Sequence, residues 1–300
     1  MIIKINSNLF NQAENVTKID LVLSHILNRR YNLFFDDEDI IDTSIWSNEA
    51  RTQYKELLYE AFVATLQGSL KHDIELKEND NVAENEFSID NGIIFLNSEV
   101  FIFLENATYD SCFIKGLITK FKTKGKKIQS FLDQKWIRIE NCGGKGGIIN
   151  QVNHILSSYN NDSLENFRYL RGIVIMDSDK KHKDDSYNDE NGIIPFCDEN
   201  NILLHILEKR EIENYLPLEL IEKIENLNQN ELESFKKLTF DERDFYDMEK
   251  LSTRDYNTKQ NFPSLFLEEE LLQEMILKNC EHQNLPNEPQ LILNKINSLL

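Results

Sequence analysis

Residues 171–179 read RGIVIMDSD, a short apolar run that ends abruptly in two acids spaced i, i+2. Five of its first six residues suit a strand with no solvated face, because they offer no alternation of polar and apolar side chains. The acids stand where such a strand would leave the sheet. Working outward, VFIFL at 100–104, KWIRIE at 135–140 and NILLHIL at 201–207 have similar texture, and amphipathic segments at 111–121 and 148–159 separate the first three runs. Strands alternating with helices predict βαβ units around a parallel sheet. The run IIFLNSEVFIFL is read as two extended pieces, of which Val100 to Leu104 is the second.

On either side of this core the texture becomes helical. Residues 17–30 and 45–70 carry apolar residues at three- and four-residue spacing, as do LELIEKIENL, ELESFKKL and FLEEELLQEMILKN after Pro217. The polar stretch 72–90 has no sustained period and reads as a boundary. The expected organisation is a helical region over 1–90, an α/β domain over 91–216 and a helical region over 217–300. The segment 177–200 is expected to be a long loop.

Composition limits the function classes. Four cysteines stand singly without CxxC or CxxH pairing, which argues against a zinc site and a disulfide framework. The N-terminus lacks a basic head followed by an apolar run, and no apolar stretch approaches the ~18 residues a span needs, so a cytoplasmic protein without membrane attachment is expected. The formal net charge of −19 is unfavourable for binding nucleic acid. Yet from Lys115 to Lys145 nine Lys or Arg stand against only Asp133 and Glu140, so one basic region survives in an acidic chain.

Ligands of open parallel sheets bind outside the carboxyl ends of the strands, and these ends carry acids here: Glu105, then Asp177 and Asp179, then Glu211 and Glu213. Hard cations such as Mg²⁺ or Mn²⁺ take oxygen ligands of this kind. If the chain stays extended, Asp177 and Asp179 point to one side and flank an ion. The competing reading is a solvated loop whose acids cap the next helix. An EF-hand is excluded, since Lys181 and His182 fall where a ligand and a Gly are required. Glu211 and Glu213 would point apart in a helix, and the sequence does not decide between them. The turn NCGGKGG at 141–147 precedes a helix, where N–H groups favour an anion. It lacks the P-loop pattern, because Gly146 follows Lys145.

The order of these motifs resembles the TOPRIM family. FIFLENATYD ends a strand in Glu, NCGGKGG forms a Gly-rich turn, VIMDSD supplies the DxD, and KREIENYL resembles the corresponding stretch of OLD-type and antiphage-defence nucleases. The resemblance covers about 125 residues. It departs from the family at Asn106, where Gly is common, and at Asp110, which lies further on than the usual Asp. It implies a Rossmann-like central parallel sheet flanked by helices, with helical N- and C-terminal additions. It further implies a Mg²⁺- or Mn²⁺-dependent endonuclease acting on DNA or RNA, with Glu105 moving a proton. Metal would lie on Glu105, Asp177, Asp179 and one of Glu211 and Glu213. Gly144, Lys145 and Gly146 would contact a nucleic-acid phosphate, the alternative being a tight turn without a ligand, and Lys124, Lys126 and Lys127 either steer the strand beside such a site or form a solvated helix end. An ATPase partner in a prokaryotic antiviral system, and assembly into homo-oligomers, are expectations of the same kind. The rival reading is a non-catalytic scaffold of the same fold, which the acidic surface favours.

Overall fold

The computed structural model describes residues 1–68, 71–79, 83, 85–159, 165–281 and 287–300. It is an α/β protein with two four-stranded parallel sheets flanked by helices. The chain divides into two compact units. One comprises 1–98 with 159–170 and Leu300, and the other 99–158 with 171–299.

In the first unit the order is β1 (Ile2–Ile5), α1 (Val16–Leu27), β2 (Asn32–Phe34), α2 (Ile40–Thr43), α3 (Ile45–Glu49), α4 (Thr52–Gln67), β3 (Ile74–Lys77), β4 (Glu86–Ser88) and α5 (Ile89–Asn97). The strands lie in the order β2-β1-β3-β4. The helices expected from the sequence form, with α3 and α4 interrupted at Ala50 and Arg51, while positions 69 and 70 fall outside the described residues. The sheet is a correction to the helical reading of 1–90. Its strands are three or four residues long, and β3 and β4 lie inside the polar stretch taken as a boundary. Such short runs carry too little period to compete with the neighbouring helices. Phe10, Phe35 and Trp46 meet edge to face at 5.7 and 5.3 Å in the core, and the Trp46 indole N–H donates to Asp20 at 2.9 Å. The segment 159–170 contributes Tyr169, fully buried against Phe87.

The expected extended piece before Ser98 is instead α5. Ser88 caps it by accepting from Asn91 N–H, and the apolar residues of IDNGIIFLN then face the core with helical spacing. A short apolar run does not by itself distinguish strand from buried helix.

In the second unit β5 (Val100–Leu104), α6 (Ala107–Lys120), α7 (Lys122–Asp133), β6 (Ile137–Asn141), α8 (Lys145–Ser158), β7 (Arg171–Met176), α9 (Ile193–Glu199) and β8 (Leu203–Ile206) build a sheet in the order β6-β5-β7-β8. Every residue of β5 and β7 is buried, as expected of central strands covered on both faces. The chain continues through α10 (Leu218–Ile221), α11 (Gln229–Lys236), α12 (Phe240–Asp244), α13 (Thr258–Asn261), α14 (Gln273–Cys280) and α15 (Glu288–Ser298). These short helices belong to the same unit as the sheet and do not form a separate C-terminal region. The expected long loop 177–200 closes with α9, whose first turn Asp189 caps through the N–H groups of Ile193 and Ile194.

Two contacts bind the C-terminal segments to the sheet. Gly116 of α6 lies so close to the 3-10 segment Phe262–Leu267 that an added Cβ would stand 2.6 Å from the Phe266 carbonyl oxygen. Lys209, fully buried, donates to the Asn214 and Asn279 carbonyls at 3.1 and 2.9 Å and pairs with Asp244 at 2.6 Å. All four cysteines are free, and among the described residues no helix is long and apolar enough to cross a membrane. Gly116→Ala is expected to lower the urea midpoint, since overpacking costs about 1–3 kcal/mol. Replacing a helical Gly recovers only about 1 kcal/mol. An unchanged or raised midpoint would show that α6 and the 262–267 segment are not in close contact.

Candidate active site

With strand order β6-β5-β7-β8, the chain direction across the sheet reverses between β5 and β7, and this is where open parallel sheets leave a crevice. Glu105 follows β5 and Asp177 follows β7, so both acids stand at that point. The Asp177 N–H donates to Glu105 Oε1 at 3.0 Å, and Asp177 Oδ1 accepts from Ile212 N–H at 3.2 Å. Ser178 Oγ donates to the Lys209 carbonyl at 2.8 Å and the Asp179 N–H to the Arg210 carbonyl at 3.0 Å, which laces the loop after β7 to the one after β8.

A cavity of about 650 Å³ opens here, and its walls include Glu105, Asp110, Gly144, Asp177, Glu213 and Lys259. The glycine turn forms one wall. Gly143 and Gly144 have φ of 69° and 101°, a left-handed region that side chains with a Cβ rarely adopt, and Gly144 N–H donates to the Glu105 carbonyl at 2.8 Å. Helix α8 starts at Lys145, so its first N–H groups and its positive dipole end face this region.

The expected metal residues separate into distinct roles. Asp179 is not beside Asp177 in the cavity. Its φ of 55° turns the chain left-handed, so the extended geometry that would align the two carboxylates is not adopted. The side chain is 63% exposed and pairs with Lys145, which also stands 3.9 Å from Glu105. Glu211 is buried as a cap: it accepts from the N–H of Asn214 and from Met248 N–H at 3.1 Å, and it pairs with Lys259. Glu213 is the one of the two that lines the cavity, and its Oε2 is buried without a hydrogen-bond donor among the described residues.

Of the expected nucleic-acid contacts, Gly144 lines the cavity and Lys145 adjoins it, whereas Gly146 lies within the first turn of α8. Lys124, Lys126 and Lys127 lie on α7, outside the cavity wall. Lys124 donates to Asn294 of α15 at 2.6 Å and so joins two helices, whereas Lys127 lies over the Phe131 ring of its own helix at 5.7 Å. Two residues that sequence reading left aside belong to the site. Asp110 lines the cavity and accepts from Asn106 N–H at 2.8 Å, and Lys259 reaches in from α13. Lys259 carries no sequence signal, since it sits in the polar run STRDYNTKQN.

Enclosure sets the protonation. Burial raises Glu105 to about 7, moderated by Lys145 and the Asp177 N–H. Burial raises Asp177 well above the usual carboxylate range, with Glu213 and Glu105 adding repulsion. Glu213 rises to about 8 through burial, which Lys259 partly offsets, and Asp110 is raised by burial as well. For Lys259 burial disfavours the charge, but Glu213 and Glu211 outweigh it and raise its pKa.

Among the described residues no group of three or more His, Cys, Asp or Glu side chains is set in ligating geometry for a metal ion. The donor types nevertheless suit one. Four carboxylates face one cavity, and the Glu213 oxygen without a donor suits a hard cation. Compared with known protein families, curated proteins and solved structures, the chain matches none.

A pH dependence follows from the raised carboxylates. Near pH 5–8 the folded protein keeps protons that the unfolded chain has released, so stability falls as pH rises through this window. In EDTA, Glu213→Gln is expected to melt several degrees higher than the wild type at pH 8, with the gap closing toward pH 5. Equal gaps at both pH values would show that Glu213 is not enclosed as described.

Proposed function

We propose that the chain is a metal-dependent nuclease of the TOPRIM kind, cleaving phosphodiester bonds of DNA or RNA. The observation that carries this reading is the Glu213 oxygen without a donor, in a cavity shared with Glu105, Asp110 and Asp177 at the reversal point of the sheet. Asp177 and Glu213, whose charges repel each other there, would hold Mg²⁺ or Mn²⁺, with water and substrate phosphate completing its shell. The ion, when bound, would supply Lewis-acid charge to the phosphoryl oxygens.

The chain's own residues have definable tasks. Glu105, with its pKa held at about 7, is available near neutral pH either to accept or to donate a proton. Lys145 and the first turn of α8 offer positive charge to a phosphate. Lys259 keeps the carboxylates from repelling one another and would retain that task beside a substrate. Asp179 holds Lys145 in place through their ion pair. By the same resemblance, the chain would act as the effector of a prokaryotic antiphage system under an ATPase partner. Co-expression with a neighbouring ATPase that yields only free protein on size exclusion would count against that part.

The decisive assay is cleavage of plasmid DNA and of total tRNA with Mg²⁺ or Mn²⁺. Glu105→Ala and Asp177→Ala are each expected to lower the rate by about 10²–10⁴-fold without lowering the melting temperature. Undiminished cleavage by both variants would remove the cavity from the chemistry. A wild type that cleaves neither substrate, and whose melt does not respond to either metal, would favour the non-catalytic scaffold.

A further inference from the structure

A second hollow of about 570 Å³ lies in the same unit, where the loop after β7 faces the segment around α12. Lys181, Lys183, Arg210 and Lys250 line it together with Tyr246 and Phe245. We infer that this hollow is a second contact for a single nucleic-acid strand, taking a backbone phosphate on Arg210 and the lysines and a base on the aromatic face. The inference rests on the nuclease reading of the neighbouring cavity.

The charges that line the hollow are unequally engaged. Glu242 is committed to the backbone, accepting from Thr239 N–H at 2.8 Å, and Asp247 Oδ1 accepts from Glu249 N–H at 3.2 Å. The cations are held more loosely. Arg210 approaches Glu211 and Asp247 only at 3.9 and 3.8 Å, beyond hydrogen-bond range, and Lys183 approaches Asp241 at 3.8 Å. The Arg210 Nε is buried and has no hydrogen-bond partner among the described residues. That nitrogen is closed to solvent and faces Glu211 in the wall, so it is the terminal guanidinium nitrogen, 3.8 Å from Asp247 of the lining, that a ligand in the hollow would meet. A planar guanidinium matches phosphate in two-point geometry.

The aromatic residues select a strand rather than a duplex. Phe245 and Tyr246 are half-buried; the Tyr246 ring is already met by Phe235 at 5.0 Å and by Lys250 at 5.4 Å, so Phe245 is the ring that offers a face. Base stacking on such a face requires a base that is not already stacked in a helix. Position also fits. Lys181 follows Asp177 by four residues, so at most about 14 Å of chain separates them. Arg210 precedes Glu213 by three. Each of the two loops that bring carboxylates to the first cavity therefore also brings cations to the second.

The test uses the full chain in EDTA, where binding is separated from cleavage. Fluorescence anisotropy would be read with labelled 12-nucleotide oligothymidylate and oligouridylate, and with a 12-base-pair duplex, across a salt series. The wild type is expected to bind both single strands more tightly than the duplex. Arg210→Gln and Lys250→Glu should each weaken single-strand binding about tenfold and reduce the salt slope by about one. Lys250 is exposed, so its variant keeps the test valid if Arg210→Gln impairs folding. Variants that bind as the wild type does, a wild type that binds no oligonucleotide, or equal binding of duplex would each overturn the inference. A cleavage defect confined to Glu105→Ala, with those variants binding normally, would do so while leaving the nuclease reading intact. Weakened binding in a protein that cleaves nothing would support the hollow and reject the nuclease.

Discussion

Bringing Glu105, Asp110, Asp177 and Glu213 to one open cavity is electrostatically unfavourable, and much of the second unit is arranged around that constraint. In water two carboxylates repel weakly, but with reduced solvent screening the same pair raises each other's pKa and favours a proton or a cation. The protein meets this in two ways. Lys259 of α13 stands 3.8 Å from Glu213 and Lys145 at the start of α8 stands 3.9 Å from Glu105, and backbone N–H groups of Asp177 and Ile212 donate to the carboxylates. Burial pushes Glu105 up to about 7 and Glu213 up to about 8, and repulsion from neighbouring acids adds to it. A cation introduced there would replace the protons so retained.

The same constraint separates Glu211 from Glu213, although they are only two residues apart. Glu211 satisfies N–H groups of the turn and holds Lys259, so its charge is neutralised by fixed partners. Glu213 keeps an oxygen that no hydrogen-bond donor among the described residues meets, with the Lys259 ammonium 3.8 Å away. One acid of the pair builds the wall and the other faces what enters. Lys209 plays a related part below them, fastening the turn to Asp244 and Asn279 so that the wall holds its position.

How much of this was legible depends on how local the cause is. VFIFL and GIVIM declare central strands because every position is apolar, and acids at their ends mark the crevice through the general behaviour of parallel sheets. The first sheet was not legible, since IIKI, NLF, IELK and EFS are too short to show a period. The orientation of Asp179 depends on a single left-handed residue, and the i, i+2 spacing carries no sign of it. Lys259 was unreadable for a different reason. Its place is set by close packing of the 262–267 segment on Gly116, about 150 positions away in the sequence.

Both sheets thread their strands alike, with the second strand outside the first and the third and fourth on its other side, but in the second an acid follows both strands at the reversal, whereas in the first Asn6 follows β1 and Glu78 follows β3. The first unit also borrows residues 159–170 from between α8 and β7, and Tyr169 fills its interior. During synthesis the interior of the first unit therefore lacks Tyr169 when residue 98 is made. It must wait for 72 further residues, roughly 4–14 s at cellular elongation rates, while the first half of the second sheet accumulates. The order of emergence thus couples the maturation of one unit to the progress of the other, and a shortened chain ending at 98 would leave the space of Tyr169 unfilled.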